Sequence, residues 1–361
     1  LAGSNTFQID TSGRSATLSG TVTGTGTITK TQAGALVFSA ENPSFSGGIT
    51  VDGGTLTASL GTTAGARAVL GTGAVTANSG TTLRFFAGST ANAMSHANAI
   101  TLNGATLTSE DAVQTYSGPI TLTGANTVNV SYAGKDALSG GTSLSAGQLR
   151  LTTTDALGSG NVTITGGQMH FAVPSGSTST LANNISLPAV GAPQLNILGP
   201  TTVTTVRLTG KLSGGTAGQT YRIGDSQVGG NQNGVLILDN ATNDFSGTIE
   251  MFRGTIAITS DAALGNADND IIQYTESING SLRFDADNIT LAPTRNISMP
   301  GGANLRPIDT QSFTATIAGE ISGTGILVKI GTGTLVLTGS NIATAATQVN
   351  VGTLQVDGTF A

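Results

Sequence analysis

Apolar residues return to one register about every twenty positions, and no other feature of the chain narrows its fold so far. Ile49 follows Ile28 by 21 positions and Leu56 follows Leu36 by 20. Each lies in a short run where every second residue is apolar, as in "TITKT", "ALVFSA" and "GITVDGGTLTAS". Alternation of period two puts the apolar set on one face of a strand and the Thr, Ser and Lys residues on the other. Short strands that recur at a coil-length spacing mark a solenoid in which one repeat is one turn. A β-sandwich also has short strands at regular intervals, but nothing in it restates such a period. The expected fold is all-β, a parallel β-helix with roughly 20 residues per coil.

What fills the positions between the aliphatic residues agrees. The chain has 52 Gly and no Trp, with 9% charged and 4% aromatic residues. Disordered chains carry high charge and little Val, Ile or Leu, and each Gly inside a helix costs about 1 kcal/mol relative to Ala. Thr and Val favour pleated backbone. Gly and Asn suit its corners, where positive φ or a locally hydrogen-bonding side chain is needed. A net charge of −6 and scattered Lys and Arg leave no basic patch, so nucleic acid is excluded as a partner. The absence of Cys removes disulfides and thiolate metal sites. No apolar run is long enough to insert in a membrane, and "LAGSNTFQID" has no basic segment followed by an apolar one. Any export signal or anchor is expected outside these residues.

Longer phrases recur in a fixed order. "FSGGITVDGGTL" from Phe45 returns as "FSGTIEMFRGTI" from Phe245, "AVLGTGAVTANSGTTLRF" from Ala68 as "DALGSGNVTITGGQMHF" from Asp155, and "NAITLNGATL" from Asn98 as "RNISMPGGANL" from Arg295. The two ends also match: "ATLSGTVTGTGTITK", Ala16 to Lys30, aligns with "ATIAGEISGTGILVK", Ala315 to Lys329, and "IDT" stands upstream of both, at Ile9 and Ile308. The organisation expected is one continuous β-helix segment over 1–361, with equivalent repeat units at 2–59 and 302–358, cut from a longer repetitive protein or able to stack end to end.

"GTGILVKIGTGTLVLTGSNIATAATQVNVGTLQVDG", Gly323 to Gly358, resembles the autotransporter-associated β-strand repeat of bacterial surface passengers. The glycines, Lys329, the "GTGTLVLTG" core, Asn341 and "VGTLQVDG" carry the match, while Ile342 to Ala346 replace the family's aromatic residue and following Gly. Gly24 to Ser59 fits the same pattern. The resemblance implies a right-handed parallel β-helix, exported by bacteria and often held in a large surface protein.

Candidates for chemistry are few. His96 is expected in a loop and His170 at a surface or corner, and neither has a metal-ligand partner at a suitable spacing. No G-x-S-x-G elbow occurs. Asp268 with Asp270, and Asp285 with Asp287, stand two apart and read as solvated turns; the runner-up use is as acid and base or calcium ligands. Outward aromatic residues are the better lead. Leu83 and Phe85 share a face, which turns Phe86 outward; Ile249 and Met251 point inward, leaving Phe252 outward with Arg253 beside it, placed to meet a sugar or a protein partner. The sequons at Asn161, Asn184, Asn288 and Asn296 read as corner residues. No cofactor is expected. The function expected is structural: an extracellular shaft, stalk or filament at the bacterial cell surface, acting in adhesion or self-association, with surface glycans as further partners. The alternative is a polysaccharide lyase or hydrolase on the same scaffold.

Overall fold

The computed structural model describes residues 1–59, 65–66, 68–86, 94–110, 114–130, 137–138, 141–145, 148–151, 154–157, 159–191, 193–197, 202–225, 234–273, 281–302, 304–342 and 346–360. It is a parallel β-solenoid of about 12 turns with about 23 residues per turn. The turn is longer than the first two coils foretell because later loops are longer. Ile28 pairs in register with Ile49, and Ile49 with Val75, across a wider sequence gap. The coils group into two compact units, Leu1–Gln168 and Met169–Ala361.

In the first unit one wall stacks Thr6–Asp10, Thr27–Thr31, Ile49–Val51, Val75–Ala77, Ile100–Asn103, Ile120–Thr123, Thr142–Leu144 and Val162–Ile164, every neighbour parallel. Ile28, Ile49, Val75, Ile100 and Ile120 form its buried inward column. A second wall runs from Ser15–Leu18 to Gln148–Leu151, and there Leu36, Leu56, Leu83, Leu107, Val128 and Leu151 follow one another in register. On the outer face of the first wall Thr29, Thr50, Thr76, Thr101 and Thr121 align just as strictly. The inner columns exclude water and the outer one is wetted.

The second unit repeats this plan. Val206, Leu236, Ile256, Leu282 and Ile308 make one buried column and Ile249, Ile271, Ile297 and Ile321 another. A third wall stacks Ile289–Leu291, Thr314–Ile317, Thr334–Leu337 and Thr353–Val356. Each buried aliphatic side chain contributes about 1.5–3 kcal/mol before conformational entropy is subtracted. Stability in such a stack is a sum over neighbouring coils.

The corners explain the Gly and Asn content in two different ways. Gly54 has φ +65, and a Cβ there would lie 2.2 Å from the carbonyl oxygen of Gly34 in the preceding coil. Both the backbone and the close stacking exclude a side chain. Buried Asn acts through hydrogen bonds instead. Asn269 donates to the carbonyls of Phe245 (2.8 Å) and Leu264 (3.0 Å) and accepts the Gly247 N–H at 2.8 Å. Among the described Asn residues, Asn288 alone has a left-handed φ. Gly54→Ala is expected to cost about 2 kcal/mol from backbone strain and displaced coils, read as a lowered melting temperature.

Candidate functional site

The phrase that opens and closes the chain builds a buried cation. Alternation was read as placing lysine on the outer face; the structure turns Lys30 and Lys329 inward, both wholly buried. Lys30 stands two residues after Ile28, on the same face, in register between Ile9 and Val51. Its ammonium donates to the carbonyls of Thr31 (3.2 Å), Gln32 (2.6 Å) and Gly53 (2.7 Å) and to Thr11 Oγ1 (2.9 Å). Lys329 repeats the pattern on Ile330 (2.8 Å), Gly331 (2.8 Å) and Val351 (3.3 Å). Each lysine thus ties its own corner to the corner of the next coil. Burial pushes both ammonium groups below the ordinary lysine value, and the carboxylates of Asp10 and Asp309 draw them partly back. The "IDT" phrase has its reason here, since Asp10 and Asp309 occupy equivalent places in it and supply the compensating charge.

The outward rings already have neighbours within the chain. Phe86 and Phe252 are half-buried. The Arg84 guanidinium lies 4.8 Å from the Phe86 centroid; Arg222 and Arg253 lie 4.3 Å and 5.0 Å from that of Phe252. Arg253 is itself buried, and Arg222 also pairs with Glu250 at 2.9 Å. The histidines depart from expectation. His96 ends the strand Met94–His96 and is buried, its ring 4.2 Å from Phe85 and 5.4 Å from Tyr116. His170 lies in the strand Gln168–Phe171 and is buried too. Packing against aromatic rings outweighs the polar context of "MSHAN" at His96.

The carboxylate pairs serve local structure. Asp285 holds Arg283, two residues before it, through both oxygens at 2.6 and 2.8 Å. Asp287 accepts the Thr314 N–H at 2.8 Å, and Asp270 accepts that of Asn296 at 2.9 Å. Asp268 is exposed. Asp261, not singled out in the sequence, pairs at 2.9 Å with Arg295, whose side chain is fully buried. Among the described residues no three His, Cys, Asp or Glu side chains gather as metal ligands would. Asn296 accepts the Glu320 N–H at 3.0 Å and Asn184 that of Lys211 at 2.9 Å, a coil-to-coil use of the amide.

One outer cleft lies over the coil-to-coil bonds of Asp270, Asn296 and Glu320. It encloses about 370 Å³ in the second unit and is lined by Thr248, Asp270, Ile272, Asn296, Ser298, Glu320 and Ser322.

Comparison with known proteins bears on the clamped coils. The family model described as Passenger-associated-transport-repeat matches residues 28–58 and 327–356. The chain carries two passenger-associated-transport repeats. Each repeat includes its clamping lysine and, just before its last Gly-Thr-Leu, the carbonyl that the lysine binds in the next coil, Gly53 or Val351. The chain is also similar to the Adhesin BmaC autotransporter of Brucella suis biovar 1 (strain 1330), 30% identical over 128 residues. That match takes in 33% of this chain and 4% of the adhesin, so the chain spans a small fraction of its relative's length. No solved structure matches the chain.

Proposed function

We propose that the chain is a shaft segment of an exported bacterial passenger, held at the cell surface and acting by adhesion or self-association rather than by catalysis. The observation that carries this reading is the pair of passenger-associated-transport repeats built into the solenoid, the repeat lysine of each clamping one coil to the next. Similarity to an autotransporter adhesin supports it. So do the aligned outer hydroxyls, which suit weak contacts repeated along a face. The arginine-stacked rings of Phe86 and Phe252 are the proposed partner contacts, with Arg253, buried beside Phe252, holding that ring in place. A lyase needs a basic group at the centre of its groove, and no Lys or Arg lines the outer cleft of the second unit.

A further solenoid coil is the proposed neighbour of Thr347–Val356. Val349, Val351 and Val356 are 49%, 47% and 41% exposed. Val51, which follows Lys30 in register as Val349 follows Lys329, is fully buried beneath the next coil. One more layer, from the same polypeptide or from a second copy, would cover this apolar face. Electrophoresis of the native polypeptide decides between these: a chain near 36 kDa requires the second copy, a much longer one supplies the layer itself.

Deleting the segment in the producing bacterium tests the functional reading. Attachment to surfaces or cell–cell clumping is expected to fall, and protease added to intact cells is expected to remove the segment. Unchanged attachment and clumping together, or complete protection from external protease, would overturn it.

A further inference from the structure

We propose that the outer cleft of the second unit binds an uncharged, extended oligosaccharide. The inference rests on the surface-passenger reading only for where the ligand is met; the chemistry of binding stands on the cleft itself.

The cleft crosses four successive coils. Thr248 comes from the first, Asp270 and Ile272 from the second, Asn296 and Ser298 from the third, and Glu320 from the fourth with Ser322 beside it. The strands that carry them pair in parallel, so Ile271, Ile297 and Ile321 stack inward while the residues on either side of each turn outward. Asp270, Asn296 and Glu320 therefore form one outer line and Ile272, Ser298 and Ser322 a second beside it. Successive members of a line are about 4.8 Å apart, the spacing of paired strands, which is close to the length of one pyranose ring.

The backbone holds this line in place. One oxygen of Asp270 takes the Asn296 N–H and the amide oxygen of Asn296 takes the Glu320 N–H. Those bonds leave the second Asp270 oxygen, the Asn296 amide nitrogen, the Glu320 carboxylate and the serine hydroxyls to line the cleft. Carboxylates accept, amides donate and hydroxyls do both, which is the mixture that neighbouring sugar hydroxyls satisfy. Ile272 offers a small apolar surface for the face of a ring.

The same lining argues against other ligands. Without a Lys or Arg in the cleft, a phosphate, sulfate or uronate chain meets Asp270 and Glu320 as like charges. A single aliphatic side chain is too little surface to anchor an apolar ligand. Asp270 and Glu320 stand two strand spacings apart, about 9–10 Å, with an amide between them, so one metal ion is poorly served by both. A polyamine would use the carboxylates and leave the amide and hydroxyls unmatched.

Calorimetric titration of the chain with cellohexaose and with chitohexaose tests the proposal, with spermine and polygalacturonate as the charged probes. At least one hexasaccharide is expected to bind. Glu320→Gln should weaken that binding about tenfold, the loss of a hydrogen bond to a charged acceptor. Ser298→Tyr fills the cleft from an outward position and should abolish binding while the melting curve stays that of the parent. Should that variant melt early, Ser322→Tyr on the next coil takes its place. Failure of both hexasaccharides to bind, binding that survives both variants, or tighter binding of spermine or polygalacturonate would overturn the inference. Sugar binding in a protein whose deletion leaves attachment unchanged would sink the adhesive role alone; attachment lost on deletion with no sugar bound would sink the cleft assignment alone.

Discussion

Leu335→Asp opens the coils that surround it. Leu335 is fully buried, in register between Ala315 and Leu354, and the wall around it presents aliphatic side chains. Substitution removes about 1.5–3 kcal/mol of burial, and an unpaired carboxylate there adds about 3–5 kcal/mol more. No cation is in register to meet the charge, so the carboxyl must either stay protonated or reach water by parting the stack. Because coils are stabilised by their immediate neighbours, the damage is expected to stay near Thr314–Val356. Limited proteolysis should cut there first, and hydrogen exchange should rise in those strands while Thr27–Thr31 and Ala35–Phe38 stay protected. Protease resistance equal to the parent's would show that Leu335 does not point inward.

The inward columns were legible because each strand needs only its own alternation to say which way it faces. "ALVFSA" and "GGTLTAS" put Leu36 and Leu56 on one side, and the structure pairs them directly. The same counting turned Phe86 and Phe252 outward, and both are half-buried on the outer face. What lies over those rings was not legible: Arg222 reaches Phe252 from another coil, at a sequence distance set by intervening loops. Loop length also hid the true period: the steps counted, Ile28 to Ile49 and Leu36 to Leu56, span 21 and 20 residues, whereas Ile49 to Val75 spans 26.

Lysine was the instructive error. Counted strictly, alternation puts Lys30 on the face of Ile28, but grouping lysine with Thr and Ser set it on the outer face, in keeping with the general preference of buried positions for apolar side chains. The preference loses because the acceptors come from three places at once: Thr11 from the coil before, Thr31 and Gln32 from its own corner, and Gly53 from the coil after. A local pattern cannot show such a convergence. The restated "IDT" was the one trace of it in the sequence, visible as a repeat but mute about its purpose. The cleft over Asp270, Asn296 and Glu320 was hidden for the same reason, because its residues meet only once coils are stacked.

Lys30→Met should therefore damage the first repeat more than any surface change. Methionine keeps the unbranched stem and fills the same column, so little packing is lost; what disappears is the donor to three part-buried corner carbonyls and one buried hydroxyl. Leaving such acceptors unmet costs about 1–3 kcal/mol each before relaxation, and the corner's partial opening to water limits the net loss to about 3–4 kcal/mol. Lys30→Arg should not restore it. A Cβ on Gly54 would stand only 2.9 Å from the Lys30 ammonium, which shows how closely the next coil's backbone covers the head group and how little room a planar guanidinium would have. Hydrogen exchange should report the loss at the Ala35 N–H, bonded to Arg14, and at the Thr55 N–H, bonded to Gly34, on the two sides of the clamp. Lys329→Met should reproduce the effect in the second repeat, since its ammonium holds the same three kinds of carbonyl. Parent-like melting of Lys30→Met, with unchanged exchange at both amides, would mean that the repeat lysine fills space and clamps nothing.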